Sequence, residues 1–428
     1  QAVEARYAVE LRAHDEEGEP LLAPNGQPSK LNRRQWVEVR TENFKRWFGD
    51  WEIAATQDWL DKGDPVAVME GNEVPKLAKL TDLAIWVAQN WQSRLGANAV
   101  THPQLGAVTL DRKAVGTSLA HGFGPEKMQA LYLVPQALAA GRVLGSLPRE
   151  QNKPEAIMVA APVEIGGRLY RMLMEVRRDA NMQRLYVHEV ILREAPSAAA
   201  FISSAGPQGL KPQGAGRGAI WKFMQGLRDV QAASSKVVDA NGEPLLIYHG
   251  TQSDFSKFNN ELVKSRFPYS IGLHFTDRPG EAGIYADGWE NHAVNWNPQA
   301  KFAVPVAEGA NIMPVFVRAT NPLAIDAGPQ SASTKVDMDR AEIIAQLLAA
   351  RQNGTPYDGV IAKRAVGDDY DGINVIVFDP TQIKSAIGNT GAFDPTNPDV
   401  RFSLARDADA GGSPLGGGKA FLDSVRQW

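Results

Sequence analysis

Cysteine is absent from all 428 residues, which excludes disulfides and any metal or redox site built on thiolates. Charge of one sign is lacking too: 45 Lys and Arg stand against 49 Asp and Glu, a formal net charge of −4. No overall polybasic field therefore announces nucleic acid or a membrane surface. No run is long and apolar enough to span a bilayer, and no signal-peptide pattern opens the chain. These absences lead to the expectation of a cytoplasmic protein without a membrane partner. No His pair has ligand spacing, so no metal is expected. What is present is a hydrophobic share of 43%, enough to bury sizeable cores, in a length that suggests two or three domains. Gln stands first rather than Met, which suggests an excised or processed end.

Residues 1–60 read as a polar lead-in that closes in an aromatic helix. Thr41 is its N-cap, Phe44, Trp47 and Phe48 form one stripe, and Gly49 is its stop, a pattern suited to docking on a neighbour. Gly-Glu-Pro-Leu-Leu occurs at 18–22 and again at 242–246, which predicts two hairpin-like entries into strands. Residues 61–202 show helical patterns over 81–95 and 124–141, the second kinked at Pro135, then strand patterns over 156–163, 168–177 and 184–192. Helices followed by an antiparallel sheet make an α+β domain. A Gly/Pro-rich linker and a helix fill 203–233. Strand patterns recur through 234–403 with one clear helix over 339–352, and a Gly-rich tether and stub occupy 404–428. Gly416-Gly417-Gly418-Lys419-Ala420 is no P-loop: the first Gly is missing, Ala420 cannot ligate a metal, and no strand precedes it.

Three segments of the last third carry chemistry in their order. Tyr248-His249-Gly250-Thr251 ends an apolar strand. Gly272-Leu273-His274-Phe275-Thr276-Asp277 leads into a helix with Ala282 and Tyr285. Asn374-Val375-Ile376-Val377-Phe378-Asp379-Pro380-Thr381-Gln382 lies near the end. Together they resemble the ADP-ribosyltransferases, most closely the version found in phage polyvalent proteins. The resemblance spans about 170 residues and implies a split β-sandwich with flanking helices that takes NAD as its substrate. By it, Gly250 reads the nicotinamide carboxamide through its backbone, His249 holds a ribose, and Thr251 and Ala282 line the site. Phe275 and Tyr285 supply aromatic walls. His274 stands where the family offers Tyr, and Asn374 where it offers an acidic residue that stabilises the oxocarbenium-like transition state. Asp371 and Gln382 are candidate substitutes for that carboxylate. Singly, a strand-end His or a helix Tyr is as often plain packing.

Residues 101–200 carry twelve Lys and Arg against nine Asp and Glu. Alternation puts Arg184, Tyr186 and His188 on one face of a strand, and Arg168 and Tyr170 on one face of the strand before it. If the two pair, that face can grip a phosphate. The helix-then-sheet order resembles the barnase–EndoU–colicin–RelE (BECR) class of metal-independent RNA nucleases. That resemblance implies His121 and His188 as acid and base, Lys127, Arg168 and Arg184 as phosphate ligands with Tyr186 beside them, and RNA as a partner.

The sequence thus leads to a multidomain α+β protein of phage or prophage origin, acting in the host cytoplasm. A nuclease-like module precedes a transferase-like module whose acceptor is a host protein or nucleic acid. Two rivals stand: an RNA endonuclease with a degenerate NAD site, and a non-enzymatic interaction protein.

Overall fold

A computed structural model describes residues 1–75, 79–96, 98–110, 112, 115–116, 118, 125–147, 156–178, 184–195, 226–227, 229–266, 270–288, 309–328, 336, 339–366, 369–389 and 391–401. The expected linker at 203–218 and the tail from 404 lie outside these residues. The chain divides into two units. One joins Gln1–Leu21 and Pro28–Trp51 to the chain from Ala232 onward; the other comprises Leu22–Gln27 and Glu52–Gln231.

The amino-terminal part of the first unit is built on caps the sequence announces. Helix α1 (Arg33–Glu38) starts at Asn32 in a reciprocal capping box with Gln35, and α2 (Glu42–Phe48) starts where the Thr41 hydroxyl accepts from Phe44 N. Gly49 ends α2 because a Cβ there would lie 2.8–2.9 Å from the Ser234 side chain and its φ is +97°. The aromatic stripe does dock: Phe44 meets Phe316 and Phe393 edge-on at 5.3 and 5.0 Å, and Trp47 Nε1 donates to Thr381 O. Behind it, Arg40 stacks 3.6 Å from the Trp36 ring and pairs with buried Glu243 at 3.0 Å. Glu243 belongs to a hairpin in which Asp239 N donates to Glu243 O and Leu245 N to Val237 O. The earlier copy opens a hairpin as well: Gly18 ends the helical segment Ala13–Glu17, after which Ser29 N donates to Leu21 O and Ala23 N to Gln27 O.

In the second unit, α3 (Trp51–Lys62), β1 (Ala67–Met69), α4 (Leu80–Leu95), β2 (Ala99–His102), β3 (Gly106–Thr109), α5 (Pro125–Ala140) and β4 (Arg142–Leu147) precede three long strands. These are β5 (Ala156–Ile165), β6 (Arg168–Arg178) and β7 (Leu185–Glu194). The sheet runs β1-β5-β6-β7-β3-β2, with β4 also on β5. The long strands are antiparallel, as the alternation predicts, but β1–β5 and β3–β7 are parallel. Helices α4 and α5 cover one face through Val87, Trp91, Leu131 and Val134; Trp59 and Leu60 cover the other with Leu144 and Leu173. Pro135 lacks the N–H that would bond Leu131 O, and Trp91 Nε1 donates to that carbonyl instead at 2.8 Å.

The rest of the first unit holds β8 (Ile247–Thr251), α6 (Asn260–Arg266), β9 (Leu273–Thr276), α7 (Pro279–Asp287), β10 (Asn311–Val317) and β11 (Pro322–Asp326). These are followed by α8 (Arg340–Gln352), β12 (Gly359–Val366), β13 (Asp369–Val377) and β14 (Ile383–Ser385). The strand order is β11-β12-β13-β9-β8-β10-β14. Between β8 and β9 there is one residue pair, Tyr248 with Thr276, so the sheet is two half-sheets joined at a point. Ile247, Leu273, Phe275, Met313 and Val375 build the core on one face; α8, through Ile343, covers Val360, Ala362 and Ile376 on the other. Both units are α+β, each around its own sheet.

Candidate active site

The site follows from how β8 leaves its neighbour. In the β8–β10 ladder Tyr248 faces Pro314, whose carbonyl accepts from Ala386 N and so points toward β14. In an antiparallel ladder polar groups alternate from edge to edge, so the N–H and C=O of Tyr248, and two residues on those of Gly250, point away from β10 toward β9. Tyr248 finds Thr276 there. The next pair, Gly250 with His274, is not part of the register. The carbonyl of His274 takes the imidazole of His249 instead, with Nδ1 at 2.9 Å. One donor and one acceptor of Gly250 therefore face the split.

A carbonyl can only accept, so Nδ1 of His249 carries the hydrogen and Nε2 is left as an acceptor. Phe258, Phe275 and Phe255 surround the ring at centroid distances of 4.9, 5.5 and 6.3 Å. Burial holds its pKa below the ordinary value, which the bond to His274 only partly offsets, so the imidazole is neutral near pH 7.

Gly250 also meets α7. A Cβ built on it would lie 2.7 Å from the Ala282 carbonyl carbon, closer still to the oxygen, and 3.1 Å from Ala286 N. The missing side chain thus admits a helix, whereas the sequence reading had it admit a ligand. Tyr248, on that face, packs on Ala282, Ala286 and Ile312, whereas His249 lies with Met313 on the opposite face. His249 and α7 consequently flank β8 from opposite faces, meeting at Gly250. Tyr285, on α7, is 48% exposed.

Several expected residues are placed otherwise. Phe275 is buried in the core on the His249 face and forms no wall on the α7 side. The Thr251 hydroxyl serves a local turn, donating to Ser253 O and accepting from Ser253 N. Gln382 spends its whole amide on backbone: Oε1 accepts from Phe378 N and Asp379 N, and Nε2 donates to Arg318 O and Asp358 O. It fixes the turn after β13 and is no substitute carboxylate. The Asp371 side chain lies outside the described residues.

Asn374 stands opposite Thr276 in the β9–β13 ladder and shares its face with His274 and Ile376. It is 6% exposed, and its Oδ1 forms no hydrogen bond among the described residues. Thr276 Oγ1 donates to Glu281 Oε2 at 2.9 Å, and Asp277 Oδ1 accepts from Ile373 N at 2.8 Å. Burial raises the Asp277 pKa; burial first and the charge of Asp277 second raise that of Tyr248. Thr276, Asp277 and Glu281 form a polar cluster across the ladder from Asn374 that the sequence reading did not single out. Their signal is a polar cluster, Thr-Asp-Arg-Pro-Gly-Glu, at a strand-to-helix junction.

Among the described residues, the members of the nuclease-like set on β6 and β7 do not converge. Strands β6 and β7 pair, but Tyr170 stands opposite Glu194 while Tyr186 stands opposite Arg177, at the far end of β6. Arg168 pairs with Glu194 at 3.9 Å, Tyr170 is buried in the core, and Tyr186 meets the His188 ring edge-on at 6.1 Å. Arg184 is exposed just ahead of β7. His121 and the Lys127 side chain lie outside the described residues. Among the described residues no group of three His, Asp or Glu is disposed to hold a metal.

The part of the chain that holds the split sheet, the His-Gly strand end and the helix behind it contains an ADP-ribosyltransferase-like module by its family match. Residues 239–393 match the family model described as ADP-Ribosyltransferase in polyvalent proteins. Residues 78–186 match Large polyvalent protein-associated domain 3, a description that names no chemistry and so does not support the BECR resemblance. Neither curated proteins nor solved structures give a match to the chain.

Proposed function

We propose that the module at 239–393 binds NAD in the split between its half-sheets and breaks the nicotinamide–ribose bond, passing ADP-ribose to a host protein or nucleic acid in the cytoplasm. The observation that carries this is Gly250, whose N–H and C=O face an opening where β9 does not pair. A carboxamide needs one acceptor for its NH₂ and one donor for its carbonyl, and these two groups match it. A ligand seated there has α7 on one side, where Tyr285 can stack on the nicotinamide, and the imidazole on the other. A neutral His249 with a free lone pair on Nε2 suits a ribose hydroxyl as donor.

The test is release of nicotinamide from NAD by the full chain, followed chromatographically. Release that falls at least tenfold in His249→Ala, with melting unchanged, supports the reading. Release equal in both proteins would place the chemistry elsewhere.

A further inference from the structure

Breaking the bond from ribose C1′ to the nicotinamide nitrogen sends the electron pair to nicotinamide and leaves an oxocarbenium-like ribose. A fixed negative charge lowers that barrier. Asn374 brings none, and Gln382 is committed to backbone. The face that holds Asn374 nevertheless carries a carboxylate from another element. Asp277 N donates to Ile373 O, which makes the adjacent pair, Asn374 with Thr276, the narrow kind whose side chains approach most closely, about 4.5 Å between Cα atoms. Thr276 then holds Glu281, on the first turn of α7, by its hydroxyl at 2.9 Å. Asn374 Oδ1 is buried beside this arrangement without a hydrogen bond among the described residues. Asp277 is less suited: its Oδ1 is engaged by Ile373 N, and burial favours its uncharged form.

We propose that Glu281 supplies the carboxylate of this reaction from α7, with Thr276 as its positioning residue and Asn374 as a neutral hydrogen-bonding neighbour of the donor ribose. The inference rests on the NAD reading of the same site. In the step it serves, the C1′–N bond breaks, nicotinamide departs with both electrons, and water or the acceptor forms a bond to C1′ while its proton passes to solvent.

The experiment uses the full chain and two readouts: nicotinamide release from NAD, and calorimetric binding of carba-NAD, which cannot form the oxocarbenium ion. Glu281→Gln keeps an oxygen for Thr276 and should lower release by about 10²–10³-fold, the size of one lost electrostatic partner, while the carba-NAD Kd stays within threefold. Glu281→Gln combined with Asn374→Glu returns a charge to the same face from β13 and should recover at least tenfold of that loss. Wild-type protein that neither binds carba-NAD nor releases nicotinamide overturns the NAD reading and this proposal with it. Wild-type protein that binds and releases, matched by Glu281→Gln, overturns the Glu281 assignment alone. Binding without release by the wild type does the same.

Discussion

Replacing Gly250 by Ala tests the geometry of the site at one methyl group. The φ of Gly250 is not in the left-handed region, so the substitution costs little in backbone conformation; the cost is in space. The new Cβ would stand 2.7 Å from the carbonyl carbon of Ala282, where carbon atoms rest at roughly 3.5–4.0 Å. Its neighbours are backbone atoms of α7, which no rotamer change can move aside, so the helix must retreat by on the order of 1 Å. Overpacking of this kind costs about 1–3 kcal/mol. At about 2–4 °C per kcal/mol for a unit of about 240 residues, melting should fall by roughly 2–12 °C. Displacing α7 also moves Tyr285 and Glu281 off the split, so nicotinamide release should fall by more than the loss of folded protein explains. The assay is differential scanning fluorimetry beside NAD turnover. A Gly250→Ala protein with unaltered melting and turnover would refute the claim that α7 lies against this residue.

Three further outcomes follow from particular side chains. Glu38 is buried with Oε2 lacking a hydrogen bond among the described residues, and burial raises its pKa to about 7, opposed by Arg34. An acid whose folded pKa exceeds its unfolded value destabilises the fold as pH rises from about 4.5 to 7. Glu38→Gln should therefore stabilise at pH 8 by up to about 3 kcal/mol and little at pH 4.5, read as Tm; equal shifts at both pH values would contradict this. Gln382→Ala strips partners from two N–H groups and two carbonyls and should cost several kcal/mol, about 1–3 for each group left buried, with the carba-NAD Kd unchanged in the folded fraction. A stable but inactive variant would return Gln382 to the chemistry. Any RNA cleavage by the full chain should be unchanged in His188→Ala, because the strand register sets His188 far along β6 from Arg168; cleavage lost in that variant would return His188 to the nuclease expectation.

Elements with strong local signals were legible in the sequence. Thr41 and Gly49 bracket α2, the alternation of β5–β7 marks three strands, and Asn353 follows α8, each because a cap or a period acts within a few residues. The short strands β1 to β4 were not read, since three to six residues carry too little pattern, and β1, β3 and β4 are held by the long strands β5 and β7. In the first unit the motifs that hold His249, Gly250 and Asn374 fall on strands β8 and β13 of one sheet, but facing was harder to read. Phe275 turns to the core because it stands one residue from His274, and only the register of β9 decides which of the two points to α7. Glu281 escaped notice because its tie to Thr276 bridges a strand and a helix. In the second unit the antiparallel register carries Tyr170 and Tyr186 to opposite ends of β6 and to opposite faces of its sheet, Tyr170 beside Met172 and Val176 and Tyr186 across from Arg177.

By the proposed function, Gly250 reads a carboxamide in the split between β8 and β9. A crystal of the chain soaked with carba-NAD tests it directly. The carboxamide is expected within about 3 Å of both Gly250 N and Gly250 O, with the imidazole of His249 turned to a ribose hydroxyl. Ligand bound at any other place, or density showing β9 zipped onto Gly250 with no room between them, would contradict it.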